Sequence, residues 1–138
     1  MASSRVLRNV VTVYKPKGED EQGKMQWEKF FFEKVYYEAS RATAENARGR
    51  RPSDSTVIYI FSERSVCIHD RTVYAAGDIC KQMFAVENNR DDFETDMMYI
   101  SLHKSESDKP PNGSLLVKKI KYFEAGSSRM WHWEVEAR

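Results

Sequence analysis

Three histidines and two cysteines are the side chains with which this chain could bind a metal or form a covalent intermediate. Cys67 and His69 stand two residues apart, so on a β-strand both side chains would lie on the same face. A zinc site needs four protein ligands, or three and a water, and here it would have to recruit residues such as Cys80 and His103. Their spacing matches no zinc pattern, and no local signature supports a Cys–His nucleophile. We predict no metal and no cofactor, and two reduced, partly buried thiols.

A second group of candidate ligands is acidic and lies in the segment 88–96. Its carboxylates are Asp91, Asp92, Glu94 and Asp96. A calcium loop needs converging oxygen ligands, usually around a turn that contains glycine and a closing glutamate. The segment has no such glycine and no closing glutamate at the required spacing, so a solvated acidic loop is the simpler interpretation. Asp78 follows a glycine, and turn chemistry explains it better than catalysis does. With no phosphate-binding glycine loop and no nucleophile elbow in the chain, we predict that it has no catalytic residue.

Positive charge is concentrated in the segment Glu38–Ser53, and the acidic segment Phe84–Asp96 has the opposite sign. An exposed loop is one interpretation of the arginine cluster, and contact with an acidic protein surface or with DNA phosphates is the other. Opposite charges on two loops of one subunit suit head-to-tail packing of identical copies. We therefore predict partner contacts at Arg41, Arg48, Arg50, Arg51, Asp91, Asp92, Glu94 and Asp96.

Composition limits the class of protein. The 138 residues suffice for one domain with a buried core, which we predict over residues 1–138. The net charge of +1 gives no global argument for nucleic-acid binding. No apolar run reaches the roughly 18 residues of a membrane helix. The first residues contain no apolar signal sequence, so we do not expect secretion by that route.

The elements that would carry these loops are strands, and the C-terminal ribbon is the most informative. Trp131, Trp133 and Val135 alternate with polar residues, a period of two that predicts a strand with one buried face. The polar residues of this strand include His132, which we expect on the exposed face. In the preceding strand we expect Leu116, Ile120 and Tyr122 to line one face. Both tryptophans should then lie in the core.

Further strands are predicted upstream. Val10–Tyr14 is a β-branched run, followed by a hairpin loop over Lys15–Gly23. Met25–Tyr37 reads as a strand with a bulge between Phe30 and Phe32, although a helix is the rival interpretation. Ser55–Phe61 is the clearest strand and could be covered on both faces. Val66–His69 extends or follows it.

Gly77 and Asp78 predict a tight turn into another strand. Strands separated by turns and long loops indicate an all-β fold, a small β-barrel or sandwich of mostly antiparallel strands. The long loops are expected at about 38–54, 87–96 and 104–113. Small barrels with exposed aromatic residues bind single-stranded nucleic acid. Here the aromatic residues occupy inward positions of the predicted strands and the faces around them are not basic, which disfavours that function.

Three segments together resemble a known family: Asp54–Phe61, Ala76–Ile79 and Met130–Val135. They match the Asp-Ser and hydrophobic run, the Gly-Asp-hydrophobic turn and the final aromatic-x-Trp-Glu-Val strand of small head–tail connector or minor capsid proteins of long-tailed bacteriophages. The order of the motifs matches across nearly the whole chain. The arginine cluster is more basic than this family leads one to expect, and the correspondence of the loop 104–113 is open.

The resemblance implies a structural virion protein of the phage neck, of the stopper or head-completion type, and not an enzyme. It would form a homo-oligomeric ring, a dodecamer or hexamer, between the portal or adaptor and the tail-terminator protein. Packaged DNA in the channel is a further possible contact, and no membrane is involved. The protein would reside in the virion and, during assembly, in the host cytoplasm. The alternatives are a tail-terminator or tail-completion protein, a capsid-decorating minor capsid protein and, more distantly, a nucleic-acid-binding β-barrel.

Overall fold

The computed structural model describes residues 8–39, 55–84 and 89–138, which contain eight β-strands and one α-helix of nine residues. The elements are β1 (Asn9–Glu19), β2 (Met25–Ala39), β3 (Thr56–Phe61), β4 (Val66–His69), β5 (Thr72–Ala75), α1 (Ala76–Phe84), β6 (Tyr99–Ser101), β7 (Leu115–Phe123) and β8 (His132–Ala137). Two short 3₁₀ helices, Phe93–Asp96 and Ser128–Met130, precede β6 and β8. All strand pairs are antiparallel. The predicted all-β fold is confirmed.

Six of the strands close into a ring in the order β1-β6-β7-β8-β3-β2, because β2 also pairs with β1. The long strand β2 makes this possible. Its C-terminal part, Tyr36–Ala39, pairs with β3, while Phe31–Glu33 pairs along the same edge with β4. The β4–β5 hairpin therefore extends the barrel wall beside β2, and β5 ends the sheet among the described residues.

The bulge in β2 lies at Lys34, after the predicted position between Phe30 and Phe32. Lys34 has a φ of 58°, and the pairing with β1 skips this residue. Phe30 and Phe32 are buried before it and Val35 after it, so the extra residue moves the buried side from even to odd numbers. The strand assignment of this segment is correct and the helix alternative is wrong.

The first hairpin is tighter than predicted. β1 continues to Glu19, so the loop expected over Lys15–Gly23 shrinks to a turn closed by Asp20. The Oδ1 atom of Asp20 accepts hydrogen bonds from the backbone N–H groups of Gln22 and Lys24, each at 2.9 Å. The Asp20 side chain thus closes a short turn where the sequence predicted a longer loop.

The prediction of a turn and a strand after Gly77 is wrong, because this residue begins α1. The N–H group of Gly77 donates to the carbonyl oxygen of Ser62 at 2.9 Å, which fixes the start of the helix against the β3–β4 turn. The apolar residues that follow have helical spacing and close one side of the core. They are Ile79, Cys80, Met83 and Phe84, all buried.

In the C-terminal ribbon one of the two tryptophans belongs to the core. Trp133 is 2% exposed, whereas Trp131 precedes β8 and is half-buried. A register shift in β7 after Val117 makes Val117 and Ile120 the buried residues of this strand. The prediction that Leu116 shares the inner face with Ile120 is therefore wrong, because the bulge reverses the alternation between them.

β3 has one buried face, and the expectation of two covered faces is wrong. Ile58 and Ile60 are fully buried, while Val57 and Tyr59 on the other side are half-buried. β2 and β8 flank β3 in a single layer, and among the described residues no second layer covers the outside of this strand.

Candidate functional site

The predicted acidic contact loop is folded onto the barrel. Arg90 pairs with Ile120 of β7 through two backbone hydrogen bonds, and its guanidinium lies 2.8 Å from Asp96 and 3.1 Å from Asp92. The guanidinium also stands 4.3 Å from the centroid of the Phe93 ring, which is fully buried. The hydrogen bonds that the guanidinium donates to Asp96 and, to a smaller extent, to Asp92 raise the pKa of Arg90. Two carboxylates of the segment thus pair with its own arginine, while Asp91 and Asp92 stay exposed, as expected of a solvated loop.

The remaining predicted contact residues divide into two groups. Asp91 is exposed beside Arg90, and Glu94 lies in the 3₁₀ helix Phe93–Asp96. The arginines of the basic segment lie outside the described residues, together with most of the loop that carries them. These arginines are Arg41, Arg48, Arg50 and Arg51. Their role as partner contacts remains a prediction.

The two thiols are free and fully buried. Burial raises the pKa of Cys67 to about 12 and that of Cys80 well above its usual value. A thiol that stays protonated at neutral pH is a poor nucleophile and a poor metal ligand. Within the part of the chain that the structure describes, no three His, Cys, Asp or Glu side chains are grouped as metal ligands.

His69 forms the most polar cluster, at the edge between β2 and β4. Its Nε2 atom lies 2.9 Å from an oxygen of Glu28, and its Nδ1 atom lies 3.2 Å from the carbonyl oxygen of Lys29. The imidazole stacks on Phe30 with ring centroids 4.2 Å apart. Both nitrogens are thus engaged with groups of β2. This arrangement ties the β4–β5 hairpin to the barrel and leaves no ring nitrogen for a substrate.

The outer face of β2 carries aromatic and cationic side chains side by side. Trp27 and Phe31 alternate with the inward-facing Phe30, and the ammonium groups of Lys29 and Lys104 stand 5.4 and 5.1 Å from the centroid of the Phe31 ring. A depression of about 510 Å³ adjoins them and continues between the β1–β2 and β4–β5 hairpins. We call this surface the Trp27–Phe31 face and define it by Lys17, Trp27, Lys29, Phe31, Arg71 and Lys104.

A second depression of about 530 Å³ begins on the other side of Trp27 and is mostly apolar. We call it the hairpin groove and define it by Met25, Trp27, Met97, Tyr99, Pro110 and Pro111. Met25 is 42% exposed and Met97 is 46% exposed. Trp27 and Tyr99 meet edge to face with centroids 5.8 Å apart, which holds the indole in place between the two depressions.

The wall of the hairpin groove is a fixed loop. Residues 102–113 cross the outside of β1, where the hydroxyl of Tyr14 donates to Ser105 at 2.6 Å and that of Thr12 donates to the carbonyl of His103 at 2.8 Å. The N–H group of Ser105 returns a hydrogen bond to Thr12 at 2.9 Å. Burial raises the pKa of Tyr14, whose side chain is fully covered. The loop predicted at 104–113 is thus anchored to the barrel by its N-terminal half.

A further aromatic cluster surrounds His132 on the opposite wall. Its ring stands 5.2 Å from Phe61 and 5.2 Å from Phe123. The Nε2 atom of His132 lies 3.0 Å from Glu134, and the imidazole is 20% exposed. His132 thus lies on the outer side of β8, as expected, although neighbouring rings on β3 and β7 cover much of its imidazole.

The surface formed by Trp27, Lys29 and Phe31 was not predicted from the sequence. The signal was present in the alternation, because residues 27, 29 and 31 share one parity while Phe30 and Phe32 share the other. What the sequence lacked was the position of the bulge, which decides which parity faces the core.

No helix of the described segments is both long enough and apolar enough to cross a bilayer.

Comparisons with known proteins place the chain in a family. No curated protein and no solved structure matches the chain. A family model described as a family of unknown function, DUF6751, matches residues 7–138, which is nearly the whole sequence. The protein therefore belongs to the DUF6751 family.

Proposed function

We propose that this protein is a non-enzymatic structural protein of the phage virion, a head–tail connector of the head-closure or stopper type. Copies of the chain assemble into a ring of six or twelve subunits in the neck, between the portal or adaptor and the tail. Contacts between different surfaces of neighbouring subunits close such a ring. The channel of the ring admits the packaged DNA.

The observation that carries this proposal is the hairpin groove. It exposes two methionines at 42% and 46% next to an immobilised tryptophan, on a wall anchored by hydrogen bonds. Apolar side chains concentrated in a rigid groove favour burial against another protein. Methionine and aromatic residues are also the types enriched at such interfaces. The groove therefore suits the docking of a neighbouring subunit.

The assignment to the neck is supported by the resemblance and by the pairing of its motifs. The run Asp54–Phe61 and the segment Met130–Val135 carry two of the three motifs. Their strands β3 and β8 are direct neighbours, with Ile58 opposite Val135. The third motif, Ala76–Ile79, begins α1 against the end of β3. A small closed barrel is the fold that the resemblance implied.

The experiment compares two exposed methionines. Met25→Glu introduces a charge into the hairpin groove, while Met130→Glu introduces the same charge at a residue of similar exposure, 38%, before β8. Native mass spectrometry of the full chain should give a six- or twelve-subunit ring for the wild type and Met130→Glu, and monomers for Met25→Glu. Reversal of Arg50 and Arg51 to Glu should also prevent ring formation. A ring that survives Met25→Glu would contradict the role of the groove.

The place in the particle is tested separately. A gold-labelled tag on the C-terminus of the protein, imaged by electron microscopy of virions, should mark the head–tail junction. Label spread over the head would instead identify a capsid-decorating minor capsid protein, and label on tails without heads would identify a tail-terminator or tail-completion protein. Particles without label would refute a virion role.

A further inference from the structure

The Trp27–Phe31 face and the depression beside it carry more cationic than acidic side chains. Lys17, Lys29 and Arg71 line the depression, and Lys104 approaches from the anchored loop. None of these four side chains forms an ion pair with a carboxylate of the described segments. Two carboxylates line the same depression, Asp70 and Glu28, of which Glu28 contacts His69. The four cations outnumber them, and an excess of positive charge on one surface attracts an anionic partner.

The same surface carries two aromatic rings on its outward side, both half-buried. Trp27 and Phe31 are four residues apart on one face of β2, which places them about 13 Å apart along the strand. Ile68 lies opposite Phe31 on β4 and extends the apolar floor. Aromatic rings flanked by cations suit single-stranded nucleic acid. Each base has a face that can stack on a ring, and each phosphate carries a negative charge that a cation attracts.

We propose that the Trp27–Phe31 face binds single-stranded nucleic acid, with unpaired bases on Trp27 and Phe31 and with phosphates beside Lys17, Lys29, Arg71 and Lys104. An incoming base moves the ammonium groups away from the Phe31 ring and leaves them next to the backbone. A duplex keeps its bases stacked inside and offers only phosphates, so the rings favour the single strand. This binding lies beyond the proposed assembly function and does not depend on ring formation.

The outer face of β2 differs from the expectation that disfavoured such binding. The aromatic residues were expected inside the barrel, and no strand face was expected to be basic. Phe30 and Phe32 do lie inside, but Trp27 and Phe31 lie outside, next to Lys29. The overall charge of +1 conceals this local distribution.

The test measures fluorescence anisotropy of a labelled oligothymidine strand that exceeds the about 4–16 nucleotides typical of one small barrel. Lys17→Gln combined with Arg71→Gln removes two phosphate contacts, so the slope of log affinity against log salt should become shallower by about 1.4. The matched control, Lys119→Gln combined with Lys121→Gln, removes two charges from β7 on the opposite wall and should leave the slope unchanged. Phe31→Leu should weaken binding about 5- to 100-fold. Thermal denaturation verifies that each variant is folded.

Four results would overturn the proposal. The strand could fail to bind the full chain at low salt, or the control pair could lose affinity as much as the test pair does. A duplex of the same length could bind as tightly as the single strand, which would exclude base stacking. Polyglutamate could displace the strand at equal charge, which would identify an acidic protein as the partner of this face.

Discussion

Replacement of Gly77 by alanine separates two opposite expectations for the start of α1. In an ordinary helix, glycine to alanine raises the free energy of unfolding by about 1 kcal/mol. At Gly77 the added Cβ would stand 2.1 Å from the hydroxyl oxygen of Ser62, 3.0 Å from its carbonyl oxygen and 3.1 Å from its Cβ. The carbonyl oxygen cannot retreat freely, because it accepts the Gly77 N–H group at 2.9 Å. Crowding therefore opposes helix propensity at this position.

The magnitude follows from these contacts. The hydroxyl of Ser62 can rotate away, but it then loses its hydrogen bond to Tyr122, a loss of about 1 kcal/mol. The contacts to the carbonyl oxygen and the Cβ atom remain, and crowding of this kind typically destabilises by about 1–3 kcal/mol. Subtracting the gain in helix propensity of about 1 kcal/mol leaves a net loss of about 1–3 kcal/mol. For a chain of this size the melting temperature should fall by about 3–10 °C.

The assay is urea denaturation of four proteins: the wild type, Gly77→Ala, Ser62→Ala and the double variant. Ser62→Ala removes the hydroxyl oxygen that lies closest to the added Cβ. It should lower the free energy of unfolding of the wild type, and lower that of Gly77→Ala much less. The difference between these two losses, the coupling energy, should be about 1 kcal/mol. Lys81→Ala, on the exposed side of α1, controls for propensity and should change little. A Gly77→Ala protein more stable than the wild type would refute the reasoning, because it would mean that the helix is not pressed against Ser62.

Three further perturbations test other parts of the description. Asp70 and Arg71 have φ of 50° and 67° in the two-residue β4–β5 turn, so Asp70→Asn with Arg71→Gly should raise the unfolding free energy in urea by about 1 kcal/mol. Cys67 should resist alkylation near about pH 8.5, where ordinary thiols are half ionised, and should react on unfolding; rapid labelling of the folded protein would contradict its burial. The pKa of Tyr59 is raised from 10.0 to about 12, first by burial and then by Glu38. As pH rises, the unfolded state loses this phenol proton before the folded state does. The free energy of unfolding should therefore fall between pH 10.0 and about pH 12, and it should fall less steeply for Tyr59→Phe.

The strands were largely predictable, because their side chains carry both the alternation and the β-branched composition. β3, β4 and β8 were found from runs such as Val57–Phe61, where these two signals agree. α1 was missed because Gly77 and Asp78 are ordinary turn residues. The helical spacing of Ile79, Cys80, Met83 and Phe84 belongs to a helix of only nine residues, too short to outweigh that local signal.

The candidate surfaces could not be predicted, because they depend on contacts between distant segments. Lys104 reaches the Phe31 ring only because Tyr14 and Thr12 anchor the loop that carries it, across 91 residues of sequence. The ion pairs of Arg90 likewise depend on its backbone pairing with Ile120, which holds the acidic segment against β7. Charge counts along the chain do not contain this information.

The bulge at Lys34 decides which side chains of β2 are available to a partner. Before it, the odd-numbered Trp27 and Phe31 face outward; after it, Val35 faces the core and Tyr36 stands beside Tyr59 on the outside. A regular strand would need to bury Trp27 and Phe31, or else to expose Val35, since parity would not change. Therefore the extra residue lets one strand contribute to the core in both halves and keep aromatic rings on the surface. Both proposed functions of the outer wall, assembly through the hairpin groove and nucleic-acid binding beside it, depend on this one irregularity.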